Sequence, residues 1–478
     1  MILNLNNVIR NNLWVILIFI LKYLKLSSPL MVVLIFNFNK HKILIILALL
    51  LYGLIILSYS FIKWFNIKFI LNKNNINYTS GILFKNSIKI PLSKLTTIKI
   101  QQSLIQKIFN LYSFSINIEN VNTKISKIKM LLKKDVILNM HSLIKENKIK
   151  LNYKILKQPK NILQEPLFEI SKKDLILFAL TGNNIIFGIS VIIAIQQFLK
   201  KLEKYLNFHI VNKIDPIVNL EVIYKTYGIY MIYIILGLLI IFFIISTIIS
   251  VIQKFIKFYN FRVYKDLENI VIKYGLISKK EYILPIKKIT AIKLSQNSIK
   301  QIFNLYKLKI CIIGYGQEKN EEAILYPIVD EKNAKKIVNK ILPEFSCNFK
   351  ITKSPKKAIS KFFTLPISIF LLIYFVITII NYKFRILIFL LPILLLSRYL
   401  NYKNVSIGFN KNILLATNRG FYKNILILKT YKIQSIETKS TYFQRRKKLC
   451  SYKINYPKGN ITLKNLDDDI LINLKNIM

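Results

Sequence analysis

The chain has 478 residues, 53% of them hydrophobic, and its 72 Lys and Arg stand against 22 Asp and Glu for a formal charge of +50. So apolar a chain of this length calls for membrane segments rather than one large soluble core. The basic excess excludes little by itself, but Lys, Asn and Ile rise together as AT-rich codons make them and no nucleic-acid motif accompanies them, so membrane lipids with anionic head groups are the expected partners and nucleic acid is not.

In chain order, apolar runs come in pairs. Leu13–Phe36 carries Lys22, Lys25 and Pro29 and is followed by the uncharged Ile43–Ile62, which makes a first hairpin over 13–62. Leu175–Leu199 and Ile229–Ile252 make a second over 175–252, and Phe362–Ile380 with a weaker run at 384–400 a third over 362–400. An uncharged helix of about 20 residues crosses about 30 Å of hydrocarbon, so about six transmembrane helices are expected. A hairpin returns the chain to the side it left, which puts the polar regions at 66–155, 258–345 and 402–478 on one side. Lys63, Lys68, Lys172, Lys173, Lys254, Lys257, Arg262, Lys353, Lys356, Lys357 and Lys361 flank that side, and the positive-inside rule makes it the cytoplasm. No small-residue cleavage site follows the first run, which therefore reads as an anchor.

The polar regions repeat one another. Ile76–Ile116 aligns without a gap on Ile270–Ile310, with Gly81/Gly275, Pro91/Pro285, Gln102/Gln296 and the block Phe109-Asn110-Leu111-Tyr112 against Phe303-Asn304-Leu305-Tyr306 among the identities. A fainter third copy has Gly420, Lys432-Ile433-Gln434-Ser435-Ile436, Gln444, Leu449 and Ile454 at the matching places. Each copy reads as a strand entering a Gly suited to a positive-φ turn, a second strand, a third strand, and then a short helical plug such as Leu104, Ile105, Ile108 and Phe109. A further strand, Leu111–Ile118 in the first copy, and a helical tail follow: Val136–Lys145, Asn333–Leu342 and Ile470–Ile477. Ala334, Ile337, Val338 and Ile341 form one apolar stripe of the middle tail.

Chemistry is hard to find. His41, His141 and His209 lie far from one another and from Cys311, Cys347 and Cys450, whose odd number and wide spacing give neither a metal site nor a disulfide framework and fit a reducing compartment. Gly314-Tyr315-Gly316 reads as a strand-end turn. Asp467-Asp468-Asp469 precedes the last helix, where acids favour the N-terminal dipole. Catalytic, cofactor-binding and metal residues are accordingly none, and no enzyme is expected. The one polar cluster in an apolar run, Thr181, Asn183, Asn184, Gln196 and Gln197, would line a pathway in a transporter but suits helix packing better.

The run Tyr274-Gly275-Leu276-Ile277, then Leu284-Pro285-Ile286-Lys287-Lys288-Ile289, Gln296 and Ile302-Phe303-Asn304-Leu305 resembles the bacterial pleckstrin-homology-like, membrane-flanked domain. Three such domains alternating with helix pairs resemble the YdbT-like membrane proteins over nearly the whole chain. The resemblance implies an α+β split barrel in each copy, with two antiparallel sheets and a C-terminal helix, and brings no catalytic residue with it. Lys85-Asn86 and Lys279-Lys280 are the nearest match to the basic cluster of phosphoinositide-binding relatives and read as solvated turns. The expected function is a non-enzymatic, multi-pass inner-membrane protein presenting cytoplasmic domains to lipid, to a membrane-protein partner or to itself. The alternative is a small-solute or lipid transporter formed by the six helices.

Overall fold

The computed structural model describes residues 8–27, 42–118, 127–142, 165–182, 230–312 and 323–475, apart from positions 73, 83, 141, 267, 347, 348, 381, 411 and 458. The chain divides into two compact units. One comprises Met1–Glu169, Asn260–Ala291 and Ile310–Leu325, and the other Ile170–Tyr259, Ile292–Lys309 and Tyr326–Met478.

In the first unit, β1 (Val8–Arg10) leads into helix α1 (Val15–Leu26), and α2 (Lys42–Asn66) returns the chain to β2 (Lys68–Leu71), β3 (Asn75–Ser80) and β4 (Asn86–Pro91). These four strands form an antiparallel sheet in the order β1-β2-β3-β4. A 3-10 turn at Leu92–Lys94 swings the chain into β5 (Leu95–Gln102). Helix α3 (Leu104–Ile108), β6 (Leu111–Ile118) and β7 (Lys127–Lys133) follow. The inward faces of both sheets share one core, in which Phe69, Ile76, Leu92, Phe114 and Ile116 are almost wholly buried. This is the two-sheet barrel expected of the first copy.

β5 does not end its sheet. Two strands that enter the second copy, β8 (Phe168–Glu169) and β9 (Arg262–Asp266), run beside β10 (Asn269–Tyr274) and β11 (Lys279–Pro285), and the sheet order is β7-β6-β5-β11-β10-β9-β8. The third strand of the first copy is thus bonded antiparallel to the second strand of the next, with Lys280 opposite Gln101 and Tyr282 opposite Lys99. Lys279 and Lys280, expected in a solvated turn, therefore belong to a strand junction.

Before β9 come α4 (Lys172–Leu180) and the 29-residue α5 (Tyr230–Phe258), packed together in the second unit. β12 (Ile289–Gln296), α6 (Ser298–Ile302), β13 (Leu305–Ile312), β14 (Ala323–Asp330) and α7 (Glu331–Ile341) follow. The apolar stripe of α7 is buried as the sequence predicts. β15 (Lys350–Lys353), α8 (Ile359–Ile380) and α9 (Leu391–Asn404) lead to β16 (Ser406–Phe409), β17 (Ile413–Arg419) and β18 (Lys423–Lys429). The junction recurs here, in the order β14-β13-β12-β18-β17-β16-β15. The chain closes with β19 (Ser435–Lys439), α10 (Tyr442–Arg445), β20 (Leu449–Tyr456), β21 (Gly459–Asp467) and α11 (Ile470–Lys475), the strands forming a sheet β19-β20-β21.

The expectation of about six spans is corrected. Among the described residues two stretches are long and apolar enough to cross a bilayer, Ile45–Asn66 and Lys356–Ile380. The described part of the first run is a 12-residue helix, about 18 Å long, and residues 28–41 lie outside the described residues. Of the expected Leu175–Leu199 helix, α4 ends at Leu180, and Asn183, Asn184, Gln196 and Gln197 lie outside the described residues. The run at 384–400 is not one α-helix: Tyr382–Leu390 is a 3-10 stretch and α9 starts beside Pro392. Proline lacks the N–H of an interior helical bond and its ring crowds the preceding turn, so it suits the first positions of a helix.

Candidate functional site

The short helix after the third strand of each copy is built alike. Ser103, Asn297 and Thr441 stand at its N-terminus; Ser103 with Gln106 and Thr441 with Gln444 form capping boxes, and the Asn297 side chain accepts from the Lys300 N–H. Each helix leaves through a left-handed residue, Asn110, Asn304 and Lys448, with φ of 49°, 51° and 48°. Asn tolerates this conformation better than other residues with a side chain, which explains its recurrence in the first two copies.

The apolar side chains of these helices are not a buried plug, which corrects that expectation. Ile108 and Ile302 are 78% and 76% exposed, and Leu104, Phe303, Tyr442 and Phe443 are exposed as well, while the inward positions belong to Gln106 and Lys300. Spacing groups the apolar residues correctly on one face but cannot say what that face meets.

In every copy the short helix sits at the base of a hairpin. In the first, Phe109 stacks on Trp14, with ring centroids 5.0 Å apart, and Trp64 donates its indole N–H to the Asn11 carbonyl at 2.8 Å. In the second, the Asn297 side chain donates to the Thr181 carbonyl at the end of α4, and the Lys300 ammonium lies 4.5 Å from the Phe178 ring centre. Lys254, beyond the uncharged stretch of α5, donates to the Ala179 carbonyl; burial, then Lys307 and Lys257, push it down to about 8. In the third, Lys447 donates to the Ser360 hydroxyl at 2.9 Å and Lys361 lies 4.7 Å from the Phe443 ring centre. Exposed apolar and aromatic side chains next to the ends of apolar helices, with lysines nearby in the second and third copies, have the composition of a membrane interface.

A second feature lies on the outer face of β5, β6 and β7. Lys99, Gln101, Ser113, Ser115, Lys127 and Lys129 line a depression of about 330 Å³. Three ammonium groups among hydroxyls suit an anion.

Thr181 caps α4 and its hydroxyl donates to the Leu177 carbonyl, a helix-end role. Asp467 pairs with Lys357 at 2.7 Å, and the Asp467 and Asp468 carbonyls accept from the Tyr452 hydroxyl. Among the described residues no group of His, Cys, Asp and Glu could hold a metal. Cys311 and Cys450 are buried thiols. The three histidines, Cys347 and Gly314-Tyr315-Gly316 lie outside the described residues.

Comparison with known proteins agrees with this architecture. The profile of the bacterial PH domain matches residues 16–147, 208–345 and 361–474. The chain is also similar to the UPF0699 transmembrane protein YdbT of Bacillus subtilis (strain 168), 25% identical over 408 residues that cover 82% of this chain and 79% of the relative. Apolar helices and a transmembrane relative make this a membrane-associated protein, and with three matching regions over most of its length the chain belongs to the bacterial PH domain family.

Proposed function

We propose that the protein is a non-enzymatic, multi-pass scaffold of a bacterial inner membrane, holding three PH-like domains against the cytoplasmic lipid surface. The observation that carries this reading is the threefold recurrence of a short helix at a hairpin base with bare apolar side chains, joined by lysine contacts in the second and third copies. An amphipathic surface of this kind gains from burying apolar area among the head groups and from attraction to anionic lipid. The Lys99 depression offers a place for a head-group phosphate. Cytoplasmic placement is supported by lysines at the described helix ends: Lys63 in the last turn of α2, Lys257 in that of α5, and Lys356 and Lys357 just before α8.

The test is an environment-sensitive fluorophore on Ile302→Cys and Phe443→Cys, in full-length protein reconstituted into neutral vesicles and into vesicles with phosphatidylglycerol. The expected outcome is blue-shifted emission, quenched by lipid-borne quenchers and strengthened by the anionic lipid. Emission typical of water in both vesicle types would sink the reading.

A further inference from the structure

We propose that copies of this chain associate head to tail by strand addition, β19 of one chain pairing antiparallel with β4 of a second copy. Within one chain the contact is already made twice. The third strand of the first copy bonds to the second strand of the next, β5 to β11, and the same step recurs from β12 to β18. The series is left incomplete at both ends. β4, a second strand, has no third strand beside it, and β19, a third strand, has no second strand beside it; among the described residues each is the edge of its sheet.

Burial follows from this. β5 and β12, covered by the next copy, are mostly buried, whereas β19 at the same place has three of its five residues exposed and none buried. β4 is exposed at Asn86, Ser87 and Lys89. Edges of this kind are templates for another strand unless blocked by proline, a bulge or inward charge. In β4 the proline is the last residue, Pro91, and the β19 pairing with β20 is regular.

The internal junction fixes the register. Lys280 opposite Gln101 and Tyr282 opposite Lys99 become, at the matching positions, Asn86 opposite Lys439 and Ile88 opposite Glu437, with Ser87 opposite Thr438. No like charges meet in these pairs, which is what cross-strand pairing requires. A side-chain clasp comes with it. At the second junction Ser298 and Gln301 of α6 donate to the Phe421 carbonyl in the next copy's hairpin turn, and Arg419 donates to Gln301. The matching residues of the last copy, Tyr442 and Arg445, are exposed. They would meet the second chain's turn at Gly81 and Phe84. Such an interface is heterologous, so it extends into a row or closes into a ring, and membrane anchoring confines either to the bilayer plane.

The experiment mixes two differently tagged full-length chains in one bilayer, one carrying Ser87→Cys and the other Thr438→Cys, with Asn86→Cys and Lys439→Cys as the neighbouring register and unsubstituted chains as background. After oxidation, the first tag is captured and the second is probed. The expected result is a mixed-tag disulfide in at least one of the two registers and none between Ser87→Cys and Ser435→Cys, three residues out of register. All these positions are exposed strand-edge residues, so the variants keep the fold, and an unchanged thermal midpoint verifies it. No mixed-tag product above background in either register, or a product as strong between Ser87→Cys and Ser435→Cys as in the two expected registers, would each overturn the proposal.

Discussion

Lys448 holds the backbone conformation of Asn304, with φ of 48° against 51°, at the same point of two copies of one motif. The two residues differ in what that conformation costs. A left-handed residue brings Cβ close to its own carbonyl, a strain of about 1–2 kcal/mol that Asn relieves in part. Lys448→Asn is therefore expected to stabilise the last copy by about 0.5–1 kcal/mol, read as a higher thermal midpoint in detergent, and Asn304→Lys to lower it. An unchanged or lower midpoint for Lys448→Asn would refute the assignment of strain.

The hairpin glycines give a paired prediction. Gly81 and Gly275 have φ of 127° and 111°, and a Cβ on either would run into a backbone carbonyl, that of Phe84 or Ser278. Gly420, expected from the sequence to do the same, has no positive φ, and a methyl group there would meet nothing within 4 Å. Its amide instead donates to the Tyr422 carbonyl. Gly275→Ala is expected to cost about 1–3 kcal/mol and Gly420→Ala to leave the thermal midpoint within a degree or two of the parent, about what a change under 0.5 kcal/mol produces. Equal effects at the two positions would contradict the turn geometry.

These positions mark how far the sequence can be read. Strand ends are legible where alternation meets a turn residue, as at Pro91, Pro285 and the span of β6. In the third copy Lys429 stands at the place of Pro91 and Pro285, and its φ of −67° is close to their −62° and −65°. The capping signals Ser103 with Gln106 and Thr441 with Gln444 are in the sequence too, but the apolar residues beside them suggest a plug and mask them. That spacing is the same whether a face meets core or lipid. The strand junctions are illegible for a different reason. Pairing β5 with β11 asks nothing of the alternation within either strand, so no single copy carries the signal. The break in the last apolar run is visible at Pro392 and is outweighed by the hydropathy around it.

Lys254 makes a prediction about pH. Burial, with Lys307 and Lys257 nearby, lowers it from the usual lysine value to about 8. The folded state thus releases this proton earlier than the unfolded chain. Below pH 8 the ammonium is present in both states and its desolvation cost is fully felt. Between about 8 and 10.5 the unfolded state binds more protons, so stability rises with pH. Lys254→Met is expected to unfold at a higher temperature than the parent at pH 7, with the gap closing by pH 10. A gap that stays constant over this range would remove the desolvated lysine from the account.

Asn11 couples the first hairpin to its barrel. Its side-chain oxygen accepts from the Leu131 N–H at 2.8 Å in β7, its carbonyl accepts from the Trp64 indole near the end of α2, and it is 5% exposed. Removing the side chain leaves a buried backbone donor without its partner, a cost of about 1–3 kcal/mol. Asn11→Ala is expected to lower the thermal midpoint and to speed hydrogen exchange at the Leu131 amide. Trp64→Phe keeps an aromatic ring and loses one donor while leaving the Asn11 side chain on Leu131, so it should lower the midpoint less and leave that amide protected. If Trp64→Phe exposed the Leu131 amide as much as Asn11→Ala, hairpin packing rather than the Asn11 bond would be what holds the first barrel to its membrane anchor.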